Sequence, residues 1–191
     1  ENKGYTIISL EENARLRIQQ GKDHYVSKNG NWTREGVLYL PDKRIMLTKN
    51  SPIMENPKEA TNAHRSGKDY FLTGEQVESA LQDSIRLSGS GKNIPTNRFK
   101  DNEITNFAFG DVAENYGLFL EDAGIKEMPV YLTNTLEKPF TRQMWFRDLD
   151  NGSVLDDHWV LDYDNGLRGV KMATSEAGSQ KILYSEKQIL K

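Results

Sequence analysis

At 191 residues the chain has the length of one large domain, and its 36% hydrophobic and 9% aromatic content suffices for a core, which excludes a wholly disordered polypeptide. Twenty-eight acidic against 25 basic residues leave a formal charge of -3, so no global field draws the chain to polyphosphate or an anionic membrane. The absence of cysteine removes disulfides, thiolate chemistry and Cys-ligated zinc, and fits a reducing, cytoplasmic setting.

In chain order, Tyr5 to Ile8 reads as a strand, and Ser9 with Glu12 forms a capping box that opens a first helix. Leu10, Ala14 and Ile18 fall on one face of it, and Gly21 supplies a left-handed stop. Gly36 to Leu40 and Arg44 to Thr48 are β-branched and apolar, with Pro41 and Asp42 as the turn between them. Asn50 to Ser66 lacks periodicity and reads as a long surface loop. After a strand at Asp69 to Leu72, Thr73 and Gln76 box a second helix whose buried stripe is Val77, Ala80, Leu81 and Ile85, with Gly89 beyond its end.

A second long loop is expected from Ser88 to Asn106, where Gly89, Gly91, Pro95 and several Asn break periodicity. The third helix opens at Asp111 with Glu114, turns Val112, Tyr116, Phe119, Leu120 and Ala123 inward, and stops at Gly124. Val130 to Thr133 reads as a strand. No apolar run reaches the roughly 18 residues of a membrane span, and the start at Glu1 lacks the basic and apolar regions of a signal peptide.

Near the C-terminus a W-x-x-D-x-D-N-G pattern occurs twice. Trp145, Asp148, Asp150, Asn151 and Gly152 are echoed by Trp159, Asp162, Asp164, Asn165 and Gly166. Asn-Gly is the preferred centre of a two-residue hairpin because both positions need positive φ, so the echo predicts a three-strand meander. Register then sets Arg147 opposite Asp156, Trp145 opposite His158 and Val160 opposite Lys171. One face carries Met144, Phe146, Leu155, Trp159 and Leu161; the other carries Trp145, Arg147, Asp156, His158, Asp162 and Lys171. The block from Gln143 to Val170 resembles C-terminal segments of microbial proteins with a WFR-x-L start and a D-Y-D…R-G-V end, a resemblance that implies no activity, cofactor or catalytic residue. Together these elements predict a single α+β domain over residues 1–191. It has a mainly antiparallel sheet, about three helices, a C-terminal β-meander and room for a loosely attached segment at 173–191.

Three chemistries are compatible with these residues. His158 with Asp156 or Asp162, and Arg147 opposite, could supply a general base and its orienting carboxylate for a hydrolase, although no Ser, Thr or second His completes a nucleophile set. Lys92, Arg98, Phe99 and Lys100 form a small basic and aromatic loop of the kind that touches nucleic acid, an unfavoured partner for an acidic chain. Trp145, Lys171 and the polar sheet face favour instead a non-enzymatic binding or interaction domain with a protein or small-molecule partner and no membrane contact. No cofactor or metal is expected. The Asp-rich turns fail the EF-hand spacing, Ser88 to Asn93 fails the phosphate-loop pattern, and His24, His64 and His158 lack metal-ligand spacing.

Overall fold

Local capping chemistry starts the fold. In the computed structural model, which describes residues 5–87, 92–157, 169–171 and 183–184, strand β1 (Tyr5–Ile7) leads into helix α1 (Leu10–Gln20). Ser9 Oγ accepts from the Glu12 amide at 3.1 Å, and the Glu12 carboxylate accepts from the Ser9 amide at 2.7 Å. Gly21, at φ 86, ends the helix and donates its N–H to the Arg17 carbonyl. A short helix α2 (Tyr25–Lys28) precedes β2 (Asn31–Tyr39) and β3 (Ile45–Thr48), then come α3 (Pro57–Arg65), β4 (Tyr70–Phe71) and α4 (Gly74–Leu81). Thr73 and Gln76 form the second capping box, at 3.3 and 3.0 Å.

The second half runs β5 (Ser84–Leu87), β6 (Lys92–Pro95), α5 (Glu103–Phe109), α6 (Ala113–Asp122), β7 (Glu127–Tyr131), β8 (Phe140–Phe146) and β9 (Leu155–Asp156). Two short strands follow, β10 (Gly169–Lys171) and β11 (Leu183–Tyr184). Gly124, at φ 83, closes α6 with a two-bond stop, its N–H to Glu121 O at 2.9 Å and the Ile125 N–H to Leu120 O at 2.8 Å. The start of α6 differs from expectation. Asp111 does not cap it, because the carboxylate is taken by Arg15 of α1, and a 3-10 turn over Gly110–Val112 leads in without a side-chain cap.

The expected fold class is corrected here. Six α-helices, not three, lie among the described residues, and the large sheet is mixed and strongly curled. Its strand order is β5-β3-β2-β8-β9-β7-β6, with β4 added to β8, and β7 runs parallel to β9 while the other pairs are antiparallel. Both expected loops carry structure. Asn50 to Ser66 holds a 3-10 turn and α3; Ser88 to Asn106 holds β6, a 3-10 stretch at Thr96–Asp101 and the start of α5. The second helix also ends earlier than its stripe suggests, since Ile85 leaves it and pairs with Leu47 across β3 and β5.

The C-terminal meander does not form as expected. Strand β9 lies between β8 and β7, and β10 joins β1 and β11 in a separate three-stranded sheet. Lys171 therefore sits opposite Tyr5 on one side and Leu183 on the other, in a different sheet from Trp145 and Asp156, while Val160, expected opposite it, lies outside the described residues. The turn at Asn165-Gly166 lies outside the described residues.

One face of the large sheet is sealed by α1, α5 and α6. Leu10, Ala14, Ala108, Phe109, Tyr116 and Leu120 pack there against Val37, Tyr39, Phe140, Met144, Phe146 and Leu155. The opposite face is covered near β2 and β3 by Leu72 and by Ala80 of α4, which meet Leu38 and Leu40. Gly117 lets α6 approach the Thr96–Asp101 turn, because a methyl at that position would meet the Thr96 carbonyl and the Phe99 side chain. Gly117→Ala is therefore expected to destabilise the fold by about 1–3 kcal/mol, read as a lowered midpoint in chemical denaturation, although Ala is the better helix former.

Candidate functional site

The hairpin between β8 and β9 is set by an aspartate as much as by Asn-Gly. Asp148 accepts from the Asn151 backbone N–H at 2.9 Å and from its side-chain amide at 2.9 and 3.2 Å. The Gly152 N–H reaches Leu149 O and the Ser153 N–H reaches Asp148 O, both at 2.9 Å. The chain thus reverses as expected, but with Asp150 and Asn151 at its corners, while Gly152 and Ser153 take φ 81 and 55. Register slips by two residues, so Asp156 faces Trp145 and Leu155 faces Phe146.

Arg147 and Asp156 nonetheless meet, diagonally. The guanidinium contacts Asp156 Oδ2 through Nε at 2.9 Å and Nη2 at 2.7 Å, above a carboxylate that is 1% exposed. Asp156 also pairs with Tyr131 of β7, which is 39% exposed and lies 6.0 Å from the Arg147 guanidinium. Strand alternation extends this face across the neighbouring pair, through Pro129 and Glu127 of β7 and Asn93 and Pro95 of β6. Asn93 Nδ2 donates to Glu127 at 3.0 Å. At its far end the face opens into a groove of about 710 Å³ lined by Thr96, Asn97, Glu121 and Lys126 together with Pro95 and Glu127.

Beneath the hairpin, fully buried Arg17 of α1 is the anchor. Its guanidinium donates to Arg147 O at 2.8 Å, Ser153 Oγ at 3.2 Å, Tyr116 Oη at 3.0 Å and Val26 O at 3.3 Å. It also stacks 4.1 Å from the Phe146 ring centre. Sequence reading missed this residue, since an arginine in a helix's last turn ordinarily reads as a solvated cap.

Other expected site residues are distributed differently. Trp145 lies on the expected face but packs edge-on against Trp32 at 5.0 Å and is 6% exposed. Lys92, Arg98, Phe99 and Lys100 do not form a basic aromatic loop. Lys92 starts β6, while Arg98 and Lys100 lie exposed on the 3-10 stretch. Phe99 is 1% exposed and stacks on Phe109, and Lys100 pairs with Glu114 at 3.1 Å. His158 and Asp162 lie outside the described residues. Among the described residues no group of three His, Asp or Glu gathers for a metal, and no helix is long and apolar enough to cross a membrane.

No family model and no curated protein matches the chain. A solved structure described as showing the accommodation of massive sequence variation in Nanoarchaeota by the C-type lectin fold is similar to it. The TM-score is 0.64 at 14% identity, over 81% of this chain and 83% of that one. At that identity the likeness assigns the C-type lectin fold alone.

Next to Asp156, Asp157 turns to the core face, where Tyr39 donates to its carboxylate. The Tyr39 hydroxyl in turn accepts from the Thr133 amide at 2.9 Å. Burial pushes the Asp157 carboxyl from 3.8 up to about 7, against hydrogen bonds that favour the anion. Between these values the folded state holds a proton that the unfolded state has released. The Asp157 contribution to stability therefore falls as pH rises from about 4 to about 7, and is constant outside that window. Asp157→Asn is expected to remove this slope, so that the stability difference between variant and wild type, measured by urea unfolding, shifts towards the variant as pH rises from 4 to 8.

Proposed function

We propose that the chain is a non-enzymatic binding domain whose contact surface is the outer face of β6, β7 and β9 with the adjoining groove. The observation that carries this reading is continuity. Tyr131, half-buried Arg147, Asn93, Glu127 and the groove residues form one strip on the outer side of the sheet. An aromatic ring beside a guanidinium, with amide and carboxylate groups along the same strip, suits a protein or small-molecule partner presenting both apolar and polar groups. The similar solved structure is described as accommodating massive sequence variation in this fold. Such tolerance needs stability and surface contacts to reside on different side chains, and here the core face of β7 to β9 (Met128, Val130, Leu155) is distinct from the outer one.

Within the described residues the hydrolase reading gains no support. Asp156 is committed to Arg147 at 2.7 Å and is nearly inaccessible, so it is poorly placed to orient a base towards substrate. A nucleic-acid reading loses its aromatic partner with the burial of Phe99.

The test is a screen of peptide and small-molecule libraries against ¹⁵N-labelled protein. Ligands are expected to shift the amides of Asn93, Glu127, Tyr131 and Arg147, and Tyr131→Ala is expected to weaken them at least tenfold while leaving the rest of the spectrum intact. Ligands that map only to α3 or to the β5 edge would sink the assignment.

A further inference from the structure

The Asn-Gly pairs that mark turns in the sequence are also its most chemically labile points. There are three, Asn29-Gly30, Asn151-Gly152 and Asn165-Gly166, and in each the glycine lacks the side chain that would hinder its own backbone nitrogen. That nitrogen can attack the asparagine Cγ; its proton passes to solvent, and the side-chain nitrogen leaves as ammonia. Water then opens the cyclic imide to aspartate or to isoaspartate, whose backbone runs through Cβ and is longer by one carbon. Solvent water is the sole co-reactant, so reactivity rests on whether the fold lets the nitrogen reach Cγ.

At Asn29 the pair is packed away. Its side-chain amide donates to the Tyr25 carbonyl at 3.0 Å, and Gly30 is buried against the Trp145 indole. Asn151 is different, because it is exposed at the corner of the β8–β9 hairpin. What restrains it is Asp148, which accepts from the Asn151 backbone N–H and, through both carboxylate oxygens, from its side-chain amide. The attacking nitrogen is restrained too, since the Gly152 N–H is bonded to the Leu149 carbonyl at 2.9 Å. To react, Gly152 must leave Leu149 and the amide must turn away from Asp148, so the hairpin has to open first.

We propose that Asn151 is a deamidation site held unreactive by Asp148, and that its modification prevents the β8–β9 hairpin from closing again. Deamidation exchanges a donor for an acceptor. The new carboxylate takes the place of an amide that now lies 2.9 and 3.2 Å from the Asp148 oxygens, so two attractions become a repulsion between like charges. Isoaspartate also lengthens the turn by a carbon and draws the Gly152 N–H away from Leu149. The loosening reaches Ser153, whose N–H bonds the Asp148 carbonyl, whose φ is 55 and whose hydroxyl bonds Arg17.

Incubation of the full chain at pH 8 and 37 °C, with deamidation and isoaspartate at each Asn-Gly followed by peptide mass spectrometry, tests the first half. A synthetic peptide of residues 147–154 is the unrestrained reference. Asn151 is expected to react at least about tenfold more slowly in the folded chain than in the peptide, and Asp148→Ala is expected to recover about tenfold of that rate while Asn29 is unaffected. If Asp148→Ala does not fold, Asp148→Asn serves; it keeps one acceptor and is expected to speed the reaction about threefold. The second half is read from Asn151→Asp, in which the Gly152 and Ser153 amides are expected to exchange hydrogen about tenfold faster at pH 7 with α1 unchanged. Equal rates in folded wild type and peptide would overturn the proposal, as would an unaltered rate in the Asp148 variant or unaltered exchange at Gly152 and Ser153 in Asn151→Asp.

Discussion

Strands β5 and β6 stand at opposite ends of a seven-strand path, yet only four residues of chain, or five residue spacings, separate Leu87 from Lys92. Six spacings of about 4.8 Å would hold the two edges of a flat sheet about 29 Å apart. Five such spacings reach at most about 18 Å even when fully extended. A flat sheet is therefore incompatible with the connectivity, and the strong curl is a consequence of chain length before any side chain is considered. Right-handed strand twist supplies curvature in that direction at no cost. Once the edges approach, the whole helical insert between β6 and β7, from Thr96 to Asp122, is confined beside the sheet, where α5 and α6 deliver Phe109, Tyr116 and Leu120 to the core.

Given that curl, the hairpin at the end of β8 must be held from behind, and Arg17 does so. Its four hydrogen bonds reach α2, α6, the Arg147 carbonyl and Ser153, so one guanidinium links the first helix to the segment that presents the outer face. A buried arginine with no carboxylate opposite it among the described residues would ordinarily carry a large desolvation cost. Carbonyl and hydroxyl oxygens together with the Phe146 ring offset it here, and the planar fork of the guanidinium suits such dispersed acceptors better than an ammonium would. Ser153 shows what this arrangement requires. Its φ of 55 is unfavourable for a side chain with a Cβ, and its hydroxyl is fixed between Arg17 and, at 2.6 Å, Tyr116.

Legibility in the sequence followed the range of the interaction responsible. The boxes at Ser9 and Thr73, and the stop at Gly124, are complete within a few residues and could be read directly. Starts of α3 and α5 were equally local, with Pro57 in the first turn and Asn102 accepting from the Ile104 and Thr105 amides. Their surroundings, rich in Asn, Gly and Pro, read as loop. Ile85 fits a helical stripe and a strand equally well, and β3 across the sheet decides between them. For the parallel pairing of β7 with β9 no local signal exists at all, because it follows from the order in which strands close the curl. The meeting of Arg147 with Asp156 survived a two-residue slip in register because both long side chains stay on one face, whereas Trp145 was lost to Trp32, a partner distant in sequence.

The two faces of the central strands divide the physical tasks, and Glu35 stands where that division would otherwise fail. On the core side of β2, Val37 and Tyr39 are sealed by helices, and Glu35 is the acidic side chain that interrupts this apolar run. At the β2 bulge, where register against β8 jumps between Trp32 and Gly36, its carboxyl accepts from the Leu10 amide at the start of α1, while Gln143 bonds the Thr33 and Glu35 carbonyls. A polar residue at that position could be replaced by an apolar one only if the bulge were also straightened. That change would remove a two-residue offset between β2 and β8 and set Trp32 opposite Arg147, parting it from Trp145 without changing its face. The buried carboxyl, the bulge and the edge-on tryptophans beneath the outer face are thus one coupled arrangement, and charge at Glu35 is linked to the geometry on which the outer face rests.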